Sequence, residues 1–167
     1  MITNRIGIDS NTTTDECKAR AMRIKVSTTI DSPIGSVWDY IEDISSHVEW
    51  MADAESIEFI SSRHTGVGTA FICVTKVGPF RLRDKMTVTQ WSSRRSMGIR
   101  HEGMVTGEGV FTLSKRRDNR TRFTWKEQLT FPLWMGGPAG ALGAKPILRW
   151  IWKRNLRRLK AQCERTL

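Results

Sequence analysis

The sequence predicts an α+β domain: a curved antiparallel sheet of about seven strands, two short helices after the first strand, and one long C-terminal helix laid across the sheet. Three observations carry this. Two apolar stripes at helical spacing lie in "DSPIGSVWDYIEDISSHVEW", residues 31–50. Strand-like alternation then runs almost unbroken to Phe131, and the chain closes in helical rhythm. With 167 residues there is room for one such domain and its core.

Residues 1–21 show no sustained period and are rich in Thr, Asn and Asp, so they are expected to form a poorly ordered tail ahead of a domain over 22–167. "RIKVSTTI", 23–30, alternates as a first strand. Asp31 and Ser32 ahead of Pro33 mark a helix start, with a side chain available to cap and a proline whose missing N–H costs nothing there. Ile34, Val37, Trp38 and Ile41 fall at i, i+3, i+4 and i+7, one stripe of a short helix. Ile44, Val48 and Met51 give a second.

Six strands follow: "ESIEFIS", "TAFICVTKV", "RLRDKMTVTQW", "RSMGIRHE", "TGEGVFTLSK" and "RTRFTWKEQLTF". Turn residues separate them, among them Gly66 and Gly68, Gly78-Pro79, Ser92-Ser93, Gly103 and Asp118-Asn119, as a meander of hairpins requires. In the closing segment Leu148, Trp152, Leu156, Leu159 and Cys163 lie on one face, with Arg149, Lys153, Arg154, Arg157, Arg158 and Lys160 on the others. Pro146 should mark that helix's start or a kink. The Gly-rich stretch before it reads as a flexible apolar rim or an insertion loop. Trp150 and Trp152 read as core anchors of the helix.

Alternation also sorts the strand side chains. Phe71, Cys73 and Thr75 face inward, as do Asp84, Met86 and Val88 beside Leu82. Met97, Ile99 and His101, Phe111 and Leu113, and Phe123, Trp125, Glu127 and Leu129 complete the set. A single helix across a strongly curved sheet covers such a face only in part, so the remainder is expected to be a cavity. Trp134, Leu148 and Trp152 would close it from the C-terminal segment. Asp84, His101 and Glu127 are the one ionisable cluster that this pattern places inside.

The totals exclude several classes. No run of eighteen apolar residues suggests a membrane span, and the first residues lack the apolar segment of a signal peptide, so a cytoplasmic location is expected. Cys17, Cys73 and Cys163 are odd in number and form no CxxC pair, and His47, His64 and His101 stand apart without HExxH. No metal site and no cofactor is expected. "GVG" at 66–68 and "GEG" at 107–109 lack the context of a phosphate loop and read as turn and strand glycines. The net charge is +10, concentrated toward the end: residues 145–167 hold eight Lys or Arg against one Glu. Such a face permits contact with an anionic membrane surface. Nucleic acid is not expected as a partner, because no recognition motif or aromatic stacking run accompanies the charge.

"SPIGSVWDYIEDISSHVEW", with Trp38, Asp43 and Trp50, together with "GVGTAF", "TRFTWKEQL" and the basic "LRRLK", resembles the polyketide cyclase and lipid transport family of the START-like (SRPBCC) superfamily. The resemblance spans roughly residues 23–165 and implies the helix-grip fold shared with birch-pollen allergens. It implies binding or transport of a hydrophobic small molecule, lipid-like or polyketide-like, between sheet and last helix. Relatives also include cyclases, aromatases and dehydratases, so an enzyme reading would use Glu127, His101 or Asp84 as acid–base groups. Family cyclases commonly place further polar groups in the pocket, whereas no inward arginine or tyrosine is evident here. A third reading is a membrane-surface or protein-interaction module built on the basic helix.

Overall fold

The computed structural model describes residues 21–165. The tail expected over 1–21 thus lies outside the described residues but for its last position, as do the final two residues of the domain. Strand β1 (Met22–Ile30) leads into helix α1 (Ile34–Ile41), a 3-10 turn (Ile44–Ser46) and the single-turn helix α2 (His47–Trp50). Strands β2 (Ala54–Phe59), β3 (Ala70–Val77), β4 (Phe80–Ser92), β5 (Ser96–Glu102), β6 (Thr106–Lys115) and β7 (Thr121–Thr130) follow. A 3-10 turn (Leu133–Met135) then precedes helix α3 (Gly137–Arg165). All seven strands form one antiparallel sheet in the order β1-β7-β6-β5-β4-β3-β2. This is the expected α+β architecture.

Local chemistry explains the joints. Pro33 precedes α1, whose buried residues Val37, Trp38 and Ile41 face the core. Asp43 caps the following 3-10 turn, its Oδ1 accepting the Ser45 N–H at 3.0 Å. Asp118 and Asn119 both take left-handed backbone, φ 56° and 55°, the geometry of a tight hairpin between β6 and β7.

One reading of Pro146 and one of Trp150 fail in the C-terminal segment. Pro146 is not the helix start: α3 begins at Gly137 and continues through that proline. A mid-helix proline removes one backbone bond, but neighbouring packing can sustain the helix. The Gly-rich stretch is accordingly not a loose rim. Gly136, at φ 86°, turns the chain from the 3-10 turn into the helix, a conformation suited to glycine. The second failure is Trp150, which is exposed with Arg154 over its ring, whereas Trp152 is buried as expected. Two residues along a helix is about 200° of rotation, so the pair could not both face the sheet.

One end of the concave face is solid. Trp50 of α2 sits among Phe111, Phe123 and Trp125, with ring centroids 6.0, 6.3 and 6.1 Å away, and Trp152 stacks on Trp125 at 5.0 Å. Polar anchors fix α3 at this end. Asn155, fully buried, accepts from the Ala52 N–H at 3.0 Å and donates to Asp53 at 2.6 Å. Arg158 donates to the Glu49 carbonyl at 2.8 Å, and Lys160 to the Thr29 carbonyl at 2.9 Å. Replacing Asn155 with Ala would strand the Ala52 N–H and the Asp53 carboxyl together. Urea unfolding of Asn155→Ala is expected to show a loss of about 2–3 kcal/mol.

Candidate functional site

Beyond the aromatic plug the sheet and α3 separate, leaving a cavity of about 650 Å³. Its floor is supplied by β2 to β7, its roof by Gly140, Ala144, Ile147, Leu148 and Trp152 of α3. Val77, Gly78, Pro79 and Phe80 at the β3–β4 hairpin and Phe131, Trp134 and Met135 ahead of α3 complete the wall.

Of the residues that alternation pointed inward, Phe71, Cys73, Thr75, Asp84, Met86, Met97, Ile99, His101, Phe111, Trp125, Glu127 and Leu129 line this cavity, together with Trp134, Leu148 and Trp152. Val88, Leu113 and Phe123 do not. They face the same side but are buried in the packed core. Leu113 and Phe123 are register partners toward the end of the sheet that Trp50 fills, so no cavity remains above them. Alternation gives the face of a strand, not how far along it the covering helices reach. His47, Met51, Asp53 and Ala54, which the strand pattern had no means to find, enter the wall from α2 and the chain after it.

The polar cluster is real in geometry. Glu127 Oε1 accepts the Trp125 indole N–H at 2.9 Å and lies 3.5 Å from His101 Nε2. Its other oxygen, Oε2, is buried and has no hydrogen-bond partner. Asp84 Oδ1 accepts the Met104 backbone N–H at 2.9 Å. The register brings these together: His101 lies opposite Met86, two residues from Asp84, and Glu127 opposite Gly109.

Glycine makes the space. A Cβ at 109 would fall 2.3 Å from Glu127 Oε1, and one at 103 would fall 1.9 Å from Asp84 Oδ1. Gly109, the second glycine of "GEG", and the lone Gly103 are therefore seats for carboxyl groups, whereas Gly107 lies against the backbone of Gln128. Gly109→Ala must displace the Glu127 side chain. A destabilisation of about 1–3 kcal/mol is expected, with a changed environment for the Trp125 indole measurable by its N–H chemical shift.

The titration behaviour follows from burial and neighbours. Desolvation acts to lower the His101 pKa, but its contact with Glu127 and the charges of Glu127 and Asp84 outweigh this and raise it above 6.5. Burial raises Asp84, opposed by the Met104 N–H and by His101. Burial likewise raises the Cys73 thiol to about 11, which keeps it unreactive at neutral pH. His47 is the opposite case from His101. Fully enclosed, with Nε2 2.7 Å from the Ile41 carbonyl, it is pushed down to about 4.

The two histidines give opposed pH dependences. A raised folded pKa means that the His101 contribution is fully present below 6.5 and is lost as pH climbs through the raised value. The depressed His47 contributes fully above 6.5 and loses it as pH falls toward 4, about 3 kcal/mol over that window. Unfolding free energies measured across pH should fall on both sides. His101→Gln should flatten the alkaline limb alone.

Comparison with known proteins comes out consistently. The family described as "Polyketide cyclase / dehydrase and lipid transport" matches residues 21–164. No curated protein matches the chain. A protein from Thermus thermophilus superposes with TM-score 0.71 at 16% identity, covering 84% of this chain and 96% of that one. The Zhui aromatase/cyclase from a Streptomyces species superposes at 0.68 and 15% identity, covering 87% and 94%. The di-domain aromatase/cyclase StfQ of the steffimycin biosynthetic pathway gives 0.76 at 10%, over 95% of this chain and 55% of its own. At these identities the structural likeness concerns the fold.

Proposed function

The chain belongs to the polyketide cyclase/dehydrase and lipid transport family, and from that premise we propose that it binds a hydrophobic small molecule, lipid-like or polyketide-like, in the cavity between its sheet and α3. The observation that carries the reading is Glu127 Oε2, buried in an otherwise largely apolar wall without a partner. An unsatisfied buried acceptor is costly, and a ligand bearing a hydroxyl or N–H at the right place would relieve it. The apolar wall supplies affinity and Glu127 supplies orientation, the usual division of labour in a small-molecule site.

Magnitudes are sufficient. A volume of about 650 Å³ lies within the range of small-molecule sites, roughly 300–1,000 Å³. A ligand surrendering about 350 Å² of apolar surface gains roughly 9 kcal/mol, and an association cost of about 4 kcal/mol leaves about 5, enough for sub-millimolar binding from the apolar wall alone. That two structural neighbours are aromatase/cyclases supports the same class of ligand.

His101 beside Glu127 also favours a second reading, acid–base chemistry of the cyclase or dehydratase kind, with Asp84 adjusting the charge on His101. Such an enzyme must stabilise an enolate, and protonated His101 is the cation available for this in the described wall. Turnover of a linear poly-β-keto thioester that disappears in both His101→Gln and Glu127→Gln would establish it.

Native mass spectrometry of the full chain purified from its own host tests binding directly. A retained non-covalent apolar molecule is expected. Ala144→Trp, which fills the cavity from α3, and Glu127→Leu, which removes the polar anchor, should each reduce retention about tenfold or more while unfolding cooperatively. A wild-type chain that retains nothing and leaves anilinonaphthalene sulfonate dark overturns the proposal.

A further inference from the structure

The solvent-facing side of α3 changes chemistry along its length. Toward its start the large exposed side chains are Leu142 and Ile147, with Lys145 half-buried between them; from Arg149 onward, apart from Trp150 and Ala161, they are cationic, including Lys153, Arg154 and Arg157. Leu133 and Trp134, in the turn just before the helix, are 84% and 69% exposed, and Leu142 is 73% exposed. Across the mouth, Phe80 at the β3–β4 hairpin is exposed too. Phe80, Trp134 and Ile147 also line the cavity, so this apolar patch is the rim of its opening. A patch of this kind usually marks a contact surface.

We infer that the rim docks on an anionic bilayer surface, with Leu133, Trp134, Leu142 and Ile147 entering the boundary between headgroups and acyl chains. Leu142 and Trp150 are separated by eight helical residues, about 12 Å of rise. A tilted α3 therefore puts Leu142 within the 5–10 Å or so to which interfacial segments penetrate, while Trp150 stays at headgroup level, where indole rings concentrate. Arg149 and Lys153 then fall at the phosphates. Among the described residues neither makes an ion pair or side-chain hydrogen bond, and Arg154 rests on the Trp150 ring. Their charge is thus free for an outside anion.

The anchoring of the helix fits the same use. Asn155, Arg158 and Lys160 tie its second half to the body, whereas no described side chain between 139 and 150 makes a hydrogen bond or ion pair within the chain. The end carrying the apolar rim is held by packing alone. An acidic protein would engage the arginines but would leave the bare leucines and Trp134 unexplained; a bilayer accounts for both.

Docking goes beyond the cavity reading and does not depend on whether the cavity is filled. Flotation of the full chain with vesicles of about one-third phosphatidylserine in phosphatidylcholine, against phosphatidylcholine alone, tests it. Binding to the anionic vesicles is expected, weakening with salt and accompanied by a blue shift of tryptophan emission. Arg149→Gln with Lys153→Gln should weaken partitioning about thirtyfold, near fivefold for each cation removed. Leu133→Gln with Leu142→Gln, neither of which lines the cavity, should lower partitioning at least tenfold and reduce the blue shift, both pairs keeping a near wild-type melting temperature because the side chains are exposed. No flotation of the full chain, equal binding to both vesicles, or variants that float like wild type each overturn the inference. So does capture of an acidic protein that is lost in the arginine–lysine variant while vesicle binding is not.

Discussion

Trp50 is the interaction on which the rest depends. A seven-stranded antiparallel sheet with one apolar face must cover that face, and one helix laid across a curved surface reaches only part of it. Trp50, delivered by a single-turn helix after β1, fills the end of the trough and packs against Phe111, Phe123 and Trp125. Trp152 stacks on Trp125 from the other side, so α3 is seated on the plug as well as on β1. Where the plug ends, the cavity begins.

The same division governs the polar groups. At the solid end Asn155 is matched between Ala52 and Asp53, although the Trp50 indole nitrogen is buried there without a hydrogen-bond partner. At the hollow end buried polarity is left partly unmatched, as with the second oxygen of Glu127. Two glycines, 103 and 109, give up side chains so that carboxyl groups can lie against the sheet. A low-dielectric wall then strengthens the coupling between His101 and its neighbours, which is why burial does not simply neutralise the imidazole as it does for His47. Two histidines of similar burial thereby acquire opposite character from what faces them.

Helix α3 is one element with two tasks. Its second half is structural, with Leu156, Leu159 and Cys163 in the core and polar side chains reaching back to β1 and α2. Its first half roofs the cavity with small residues, Gly140 and Ala144, which leave volume beneath them. The apolar side chains that a packed helix would turn inward are instead at the surface around the opening. Among the described residues no helix is long and apolar enough to cross a membrane.

The order of elements, the inward faces of β3 to β7 and the Asp84–His101–Glu127 group were legible in the sequence because they depend on period and turn chemistry, which are local. Strand period two puts Glu127, Trp125 and Phe123 on one side whatever covers them. Whether that side meets a ring or a void depends on where Trp50 and α3 end, and no periodicity records it; hence Phe123, Leu113 and Val88 are core while Glu127 is cavity wall. The start of α3 was hidden for a related reason: glycines and Pro146 lower helix propensity locally, and only docking over the trough makes those turns helical. Local chemistry set the faces, and the reach of the covering elements decided which of them stay empty.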